Sequence, residues 1–128
     1  MGKEVNNSKS WDSACIVGFG SHAEFKLLPA LKKAGIKLGG VVSSKKDLKI
    51  IGTKIFSKIS DAVEFLPKNT LFIISSPPDI HYLQSKILVD AGKDIFIEKP
   101  AFTSSKNLND LLEVAEENKS LVIEMLMY

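Results

Sequence analysis

The sequence has few of the features that identify a class of protein at once. It contains one cysteine, Cys15, which excludes an internal disulfide and fits a reducing compartment. Cys15 lies in the apolar run 14–19, so we expect a buried core thiol rather than a nucleophile. No apolar stretch approaches the roughly 18 residues that span a bilayer, and residues 1–13 lack the apolar core of a signal peptide. We therefore expect a cytoplasmic chain with no membrane partner.

Charge of one sign is also scarce. Seventeen basic residues, all lysine, stand against 15 acidic ones, which leaves a net charge of +2. This excess is too small to indicate a nucleic-acid partner, and lysine suits a solvated surface better than readout of a groove. The hydrophobic fraction of 45% is ordinary for a soluble protein, and 128 residues suffice for one domain with a real core.

Apolar segments typical of strands alternate with segments of helical periodicity along the chain. The predicted strands are residues 14–19, 37–43, 54–56, 70–75, 94–98 and 120–128. This alternation predicts an α/β fold, a Rossmann-like doubly wound and mainly parallel six-stranded sheet of order 3-2-1-4-5-6 with helices on both faces. Residues 14–128 form this domain, and residues 1–13 are interpreted as a disordered tail or linker.

Helices are predicted over residues 22–34, 61–66 and 79–91, and after Ser104 or Ser105. Pro29 leaves the carbonyl near Phe25 without its usual donor, so a slight bend is expected in the first helix. Ser60 is the predicted N-cap of the second helix. The apolar stripe of the last helix is expected to consist of Leu108, Leu111, Leu112 and Ala115.

A glycine turn separates the first strand from the first helix. Gly18 permits a tight turn, Gly20 lets the main chain approach a pyrophosphate, and Ala23 allows close packing of helix on strand. The free amides and the positive end of the helix would face the anion. A tight turn without a ligand is the alternative. The predicted cofactor-binding residues of this turn are Gly18, Phe19, Gly20, Ser21, His22 and Ala23.

The second strand ends in hydroxyl and ammonium groups, where a carboxylate often binds the adenosine ribose. Ser43, Ser44 and Lys45 match a ribose 2′-phosphate, which a carboxylate would repel. This favours NADP over NAD. The alternative is that Lys45 and Lys46 only decorate a surface loop.

The fourth strand is followed by a proline-rich turn at the place where the strand order reverses. This turn should border the ligand crevice. His81 falls in the first turn of the next helix, where a structural role is favoured over a chemical one. The candidate cofactor-binding residues here are Ser75, Ser76, Pro77, Pro78 and His81.

Glu98, Lys99 and Pro100 follow the apolar fifth strand. An ammonium group at this edge can donate to a substrate oxygen and favour the negative charge that develops during hydride transfer. Lys99 is therefore the predicted catalytic residue, which also touches the cofactor, and Glu98 is predicted to orient it or hold a ribose.

Four segments together resemble the glucose–fructose oxidoreductase and inositol dehydrogenase (Gfo/Idh/MocA) family of NAD(P)-dependent sugar oxidoreductases. They are residues 18–23, 28–31, 77–81 and 91–100. The resemblance implies that Lys99 lies near nicotinamide and substrate, that Pro77 and Pro78 flank the nicotinamide, and that Glu98 lies by its ribose. It also implies a sugar, cyclitol or related substrate that is oxidised or reduced by hydride transfer.

Members of this family continue into a second α/β domain that binds substrate and carries a catalytic histidine. This chain has only His22 and His81, both before Lys99. We therefore expect a cofactor domain that is inactive alone, because its substrate domain is missing. The apolar run 121–128 would be exposed, which predicts self-association into a homo-oligomer.

Two other functions remain open at the level of the sequence. One is a nucleotide-binding sensor or regulatory module that uses a bound dinucleotide as a signal. The other is a CoA-binding Rossmann domain of the CoA-ligase type, although such domains lack Glu-Lys-Pro after the fifth strand.

Overall fold

The computed structural model describes residues 11–20, 23–45, 47–76, 80–98 and 105–125. Six strands form one sheet of order β3-β2-β1-β4-β5-β6, and every neighbouring pair is parallel. This confirms the predicted fold class and strand order. The strands are β1 (Ser13–Val17), β2 (Lys37–Val42), β3 (Lys54–Phe56), β4 (Thr70–Ile74), β5 (Asp94–Glu98) and β6 (Val122–Met125).

The central strands are apolar along their whole length because both faces of the sheet are covered. All five residues of β1 and all five of β4 are buried, as expected for a parallel sheet between two helical layers. β1 begins one residue earlier than predicted and ends at Val17, because Gly18 already has a positive φ of 87°. Cys15 is buried in this strand, which confirms its assignment to the core.

The helix after β1 differs from the prediction of one continuous α-helix. Ala23–Leu27 is a π-helical segment, and α1 (Leu28–Ala34) follows it and ends at Gly35 with φ 76°. Pro29 has no amide hydrogen to donate to the carbonyl of Phe25, so the regular α-helical ladder is interrupted there. The predicted slight bend is thus a change of helix type. His22 lies outside the described residues.

The second helix, α2 (Ile59–Phe65), also begins differently from the prediction. Its N-cap is Lys58, which has extended backbone angles and no side-chain capping bond, so Ser60 is not the cap. Ile59 is buried, and placing its side chain in the core brings it into the first turn ahead of Ser60.

The other two helices are α3 (His81–Asp90) and α4 (Ser105–Asn118). Together with α2 they cover one face of the sheet, and the π-helical segment and α1 cover the other. On α4, Leu111 and Ala115 are buried, whereas Leu112 is 43% exposed and does not belong to the core stripe. Residues four apart face the same side of a helix, and the residue after Leu111 points about 100° away. No helix within the described part of the chain has the length and apolar character to cross a bilayer.

The end of the sheet opposite the strand carboxyl ends is held together by Asp94. One carboxylate oxygen accepts a hydrogen bond of 2.8 Å from the indole N–H of Trp11, and the other accepts one of 2.8 Å from the backbone N–H of Leu121. Trp11 also packs edge-on against Phe96, with the ring centroids 5.8 Å apart. Asp94 therefore ties the segments that lead into β1 and β6 to the start of β5.

Replacing Asp94 tests this tie. We expect Asp94→Ala to lower the free energy of unfolding by about 1–3 kcal/mol, because two donors lose a charged acceptor. Urea denaturation measures the change. Asp90→Ala is the control, since Asp90 is exposed and pairs with Lys86 on α3. Equal effects of the two substitutions would contradict the assignment.

Burial of Cys15 predicts that its thiol is unreactive in the folded chain. Burial raises the pKa of Cys15 from 9.0 to about 12. We expect a disulfide reagent at pH 8 to label the thiol only after denaturation. Because the folded pKa is the higher one, the neutral thiol stabilises the fold below pH 9, and this contribution is lost between pH 9 and about 12. Rapid labelling of the native chain would contradict this account.

Candidate functional site

A cleft of about 340 Å³ lies at the carboxyl ends of β1, β2, β3 and β4. The segments at the ends of β1 and β2 line it with, among others, Gly18, Phe19, Ser43, Ser44 and Lys45. From the loops after β3 and β4 and from the start of α3 it is lined by Ser57, Ser76, Ile80 and Gln84. The strand order reverses between β1 and β4, which is where open parallel sheets bind their ligands.

Gly18 must be glycine because of its backbone and its neighbour. Its φ is +87°, and an ideal Cβ at this position would lie 2.9 Å from the Cα of Ser76. Its amide donates a hydrogen bond of 2.9 Å to the carbonyl of Val42, and the amide of Ser75 donates one of 2.8 Å to the carbonyl of Val17. These contacts bring the ends of β1, β2 and β4 together around the turn.

Gly20 is in a different environment. Apart from its chain neighbours, none of the residues that the structure describes has an atom within 4 Å of an ideal Cβ on Gly20, so no described residue requires a glycine there. Its carbonyl accepts a hydrogen bond of 3.1 Å from the amide of Glu24. Ala23, at the start of the π-helical segment, is fully buried. Of this turn, Gly18 and Phe19 line the cleft, and Gly20 follows them directly, so the described part of the turn fits the approach of a pyrophosphate to the main chain. Ser21 and His22 lie outside the described residues.

The loop after β2 forms the polar part of the cleft. The amide of Ser43 donates to the carbonyl of Phe56 at 2.9 Å, and the Ser43 hydroxyl accepts the amide of Lys45 at 3.1 Å. Ser44 and Lys45 are exposed. None of the described residues that line the cleft is acidic, so its electrostatic character favours an anion.

The loop after β4 is fixed by hydrogen bonds to α3. The His81 ring is buried and donates from Nε2 to the carbonyl of Ser76, so His81 holds this loop and is not part of the cleft lining. Ser76 lines the cleft. Ser75 is not among the lining residues, and its backbone amide donates the hydrogen bond to Val17 of β1 that is described above. Pro77 and Pro78 lie outside the described residues.

β5 ends beside β4 at the same edge of the sheet. Its last residue, Glu98, pairs through the backbone with Met125. Nothing further is described of the Glu98 side chain, and Lys99 lies outside the described residues. Their roles therefore remain predictions.

Four cleft residues were not predicted from the sequence: Val42, Ser57, Ile80 and Gln84. Ser57 directly follows β3, and alignment of strand carboxyl ends could have indicated it. Ile80 and Gln84 are four residues apart at the start of α3, which places both on one side of the helix.

These features define a dinucleotide-binding domain of the Rossmann type. Residues 13–125 match the family model described as an oxidoreductase family with an NAD-binding Rossmann fold. The chain therefore belongs to the Gfo/Idh/MocA oxidoreductase family, and the resemblance seen in the sequence is confirmed. No curated protein sequence matches the chain significantly.

Solved structures with the same fold include several oxidoreductases. The D-galactose-1-dehydrogenase of Rhizobium etli has a TM-score of 0.79 at 24% identity, over 88% of this chain and 36% of that one. A putative oxidoreductase of Bacillus subtilis has a TM-score of 0.80 at 19% identity, over 90% of this chain and 34% of that one. The WlbA dehydrogenase of Chromobacterium violaceum, in complex with NADH and UDP-GlcNAcA, has a TM-score of 0.79 at 20% identity, over 90% of this chain and 35% of that one. The chain spans about a third of the length of these structures.

Substitution of the two glycines of the turn should affect stability to different degrees. We expect Gly18→Ala to cost about 1–3 kcal/mol of folding free energy, because of its positive φ and the contact with Ser76. Gly20→Ala should change it by less than about 0.5 kcal/mol, since the new methyl group meets no atom of the described residues beyond its chain neighbours. Chemical denaturation of both variants measures this. A costly Gly20→Ala would show that protein atoms occupy the space assigned to a ligand.

Proposed function

We propose that this chain is the NADP-binding domain of an oxidoreductase that acts on a sugar, cyclitol or related polyol or keto substrate. Family membership supports the dinucleotide, and the polar wall of the cleft supports the 2′-phosphate. The main observation in support is that Ser43, Ser44 and Lys45, at the end of β2, line one cleft with Gly18 of the glycine turn, with no acidic residue among the described lining residues.

The chain's own groups would divide the work of binding. Amides at the turn after β1 would face the diphosphate above Gly20, and the Lys45 ammonium with the Ser44 hydroxyl would face the 2′-phosphate. When bound, the nicotinamide supplies or accepts a hydride. Lys99, which follows β5, is proposed to donate a hydrogen bond to the substrate oxygen and stabilise its developing negative charge.

The names of two of the similar structures, and the sugar nucleotide bound in one of them, support a sugar-type substrate. One is a D-galactose-1-dehydrogenase, and another is in complex with NADH and UDP-GlcNAcA. Because the chain spans about a third of these proteins, we propose that it binds cofactor but does not turn over substrate alone. The family match favours this function over a CoA-binding domain.

A charge reversal tests the preference for NADP. We expect Lys45→Glu to weaken NADPH binding about tenfold or more, because a carboxylate replaces a cation next to the 2′-phosphate. NADH binding should change little. Isothermal titration calorimetry with both nucleotides measures the two dissociation constants.

Lys49→Glu is the matched control, since Lys49 is exposed in the same loop but does not line the cleft. It should leave the ratio of the two constants unchanged. Equal weakening of NADPH and NADH by Lys45→Glu would contradict the 2′-phosphate assignment. Failure of the unmodified chain to bind either nucleotide would contradict the proposed function itself.

A further inference from the structure

Ser76 is the residue of the β4–α3 loop that lies against the glycine turn. An ideal Cβ on Gly18 would meet the Cα of Ser76 at 2.9 Å and its Cβ and amide nitrogen at 3.0 Å. Both residues also line the cleft. Any displacement of Ser76 therefore changes the width of the cleft at the place where the turn would receive a diphosphate.

Two residues of α3 hold Ser76 by different groups. The buried His81 ring donates to its carbonyl oxygen, which fixes the main chain of the loop. The Ser76 hydroxyl donates to the amide oxygen Oε1 of Gln84, which fixes the side chain. Gln84 is half-buried and lines the cleft itself. The bond to Ser76 thus orders two cleft side chains at once.

We propose that Gln84 is a positioning residue for the dinucleotide, and that it acts through its hydrogen bond with Ser76. This inference rests on the proposed function. A glutamine side chain has several rotatable bonds and loses much rotamer freedom when it is ordered. Because the bond to Ser76 orders it before any ligand arrives, the ligand does not bear that cost, and the cleft is already shaped for binding. Without the bond, the Gln84 side chain is free to swing into the cleft, and the Ser76 hydroxyl is free to rotate.

A double-mutant cycle tests the coupling. The variants are Gln84→Met, which keeps the length of the side chain but removes the acceptor oxygen, Ser76→Ala, and the two together. We expect each single substitution to weaken NADPH binding about threefold to tenfold, the range that corresponds to one hydrogen bond. The double variant should bind no more weakly than the weaker single variant, since both break the same bond. Calorimetric titration of the 128-residue chain gives the four dissociation constants.

Leu83→Met is the matched control, because Leu83 is exposed on the same helix and does not line the cleft. It should leave NADPH binding unchanged. Melting temperatures are measured in parallel, and all titrations are made well below them, so that a loss of stability alone cannot lower the measured affinity.

The results separate this inference from the proposed function. If the unmodified chain binds NADPH but Gln84→Met binds equally well, or if the two single effects add in the double variant, the positioning role is overturned. If Gln84→Met lowers the melting temperature without changing the dissociation constant, its role is only structural and the inference also fails. If the unmodified chain binds no nicotinamide dinucleotide, the proposed function fails first.

Discussion

The close approach of Gly18 to Ser76 is the constraint on which the rest of the site depends. It joins the end of β1 to the end of β4 at the point where the strand order reverses, and it leaves no room for a side chain at position 18. The hydrogen bonds from the Gly18 amide to the Val42 carbonyl and from the Ser75 amide to the Val17 carbonyl fix the same junction on both sides. With those three strand ends held together, Gly18 and the loop at Ser43–Lys45 line one cleft, and no described residue beyond its chain neighbours lies within 4 Å of an ideal Cβ on Gly20. Structural rigidity and ligand space are thus assigned to different glycines of one short turn.

Much of the fold could be predicted because its signals are local. The continuous apolar runs of β1 and β4 are typical of strands that are buried on both faces, and the alternation with helices indicates parallel crossovers. β3 and β5 have the predicted bounds, and the sheet has the predicted order. The glycine turn could be predicted from its place between an apolar strand and a helix, because only glycine serves both a positive φ and a contact as close as the one at Gly18.

The remaining features depend on contacts between residues distant in sequence. Burial of Ile59 sets the start of α2, so the capping preference of Ser60 does not. The missing amide hydrogen of Pro29 was recognised, but its outcome as a π-helical segment depends on how Ala23 and Leu27 pack on the sheet. The hydrogen bond between Ser76 and Gln84 joins a loop to the helix that follows it, and no periodicity or spacing in the sequence indicates such a contact between side chains, so Gln84 was not predicted.

The central claim is that the cleft between the glycine turn and the loop after β2 holds a nicotinamide dinucleotide with a 2′-phosphate. An NMR titration of the isotope-labelled chain tests it most directly, because each backbone amide reports its own surroundings. The account predicts that NADPH shifts the amides of Gly18, Gly20, Ser44 and Lys45, and that NADH shifts the first two but scarcely the last two. Shifts confined to other surfaces, such as the groove along β3 lined by Lys54 and Phe65, would contradict it.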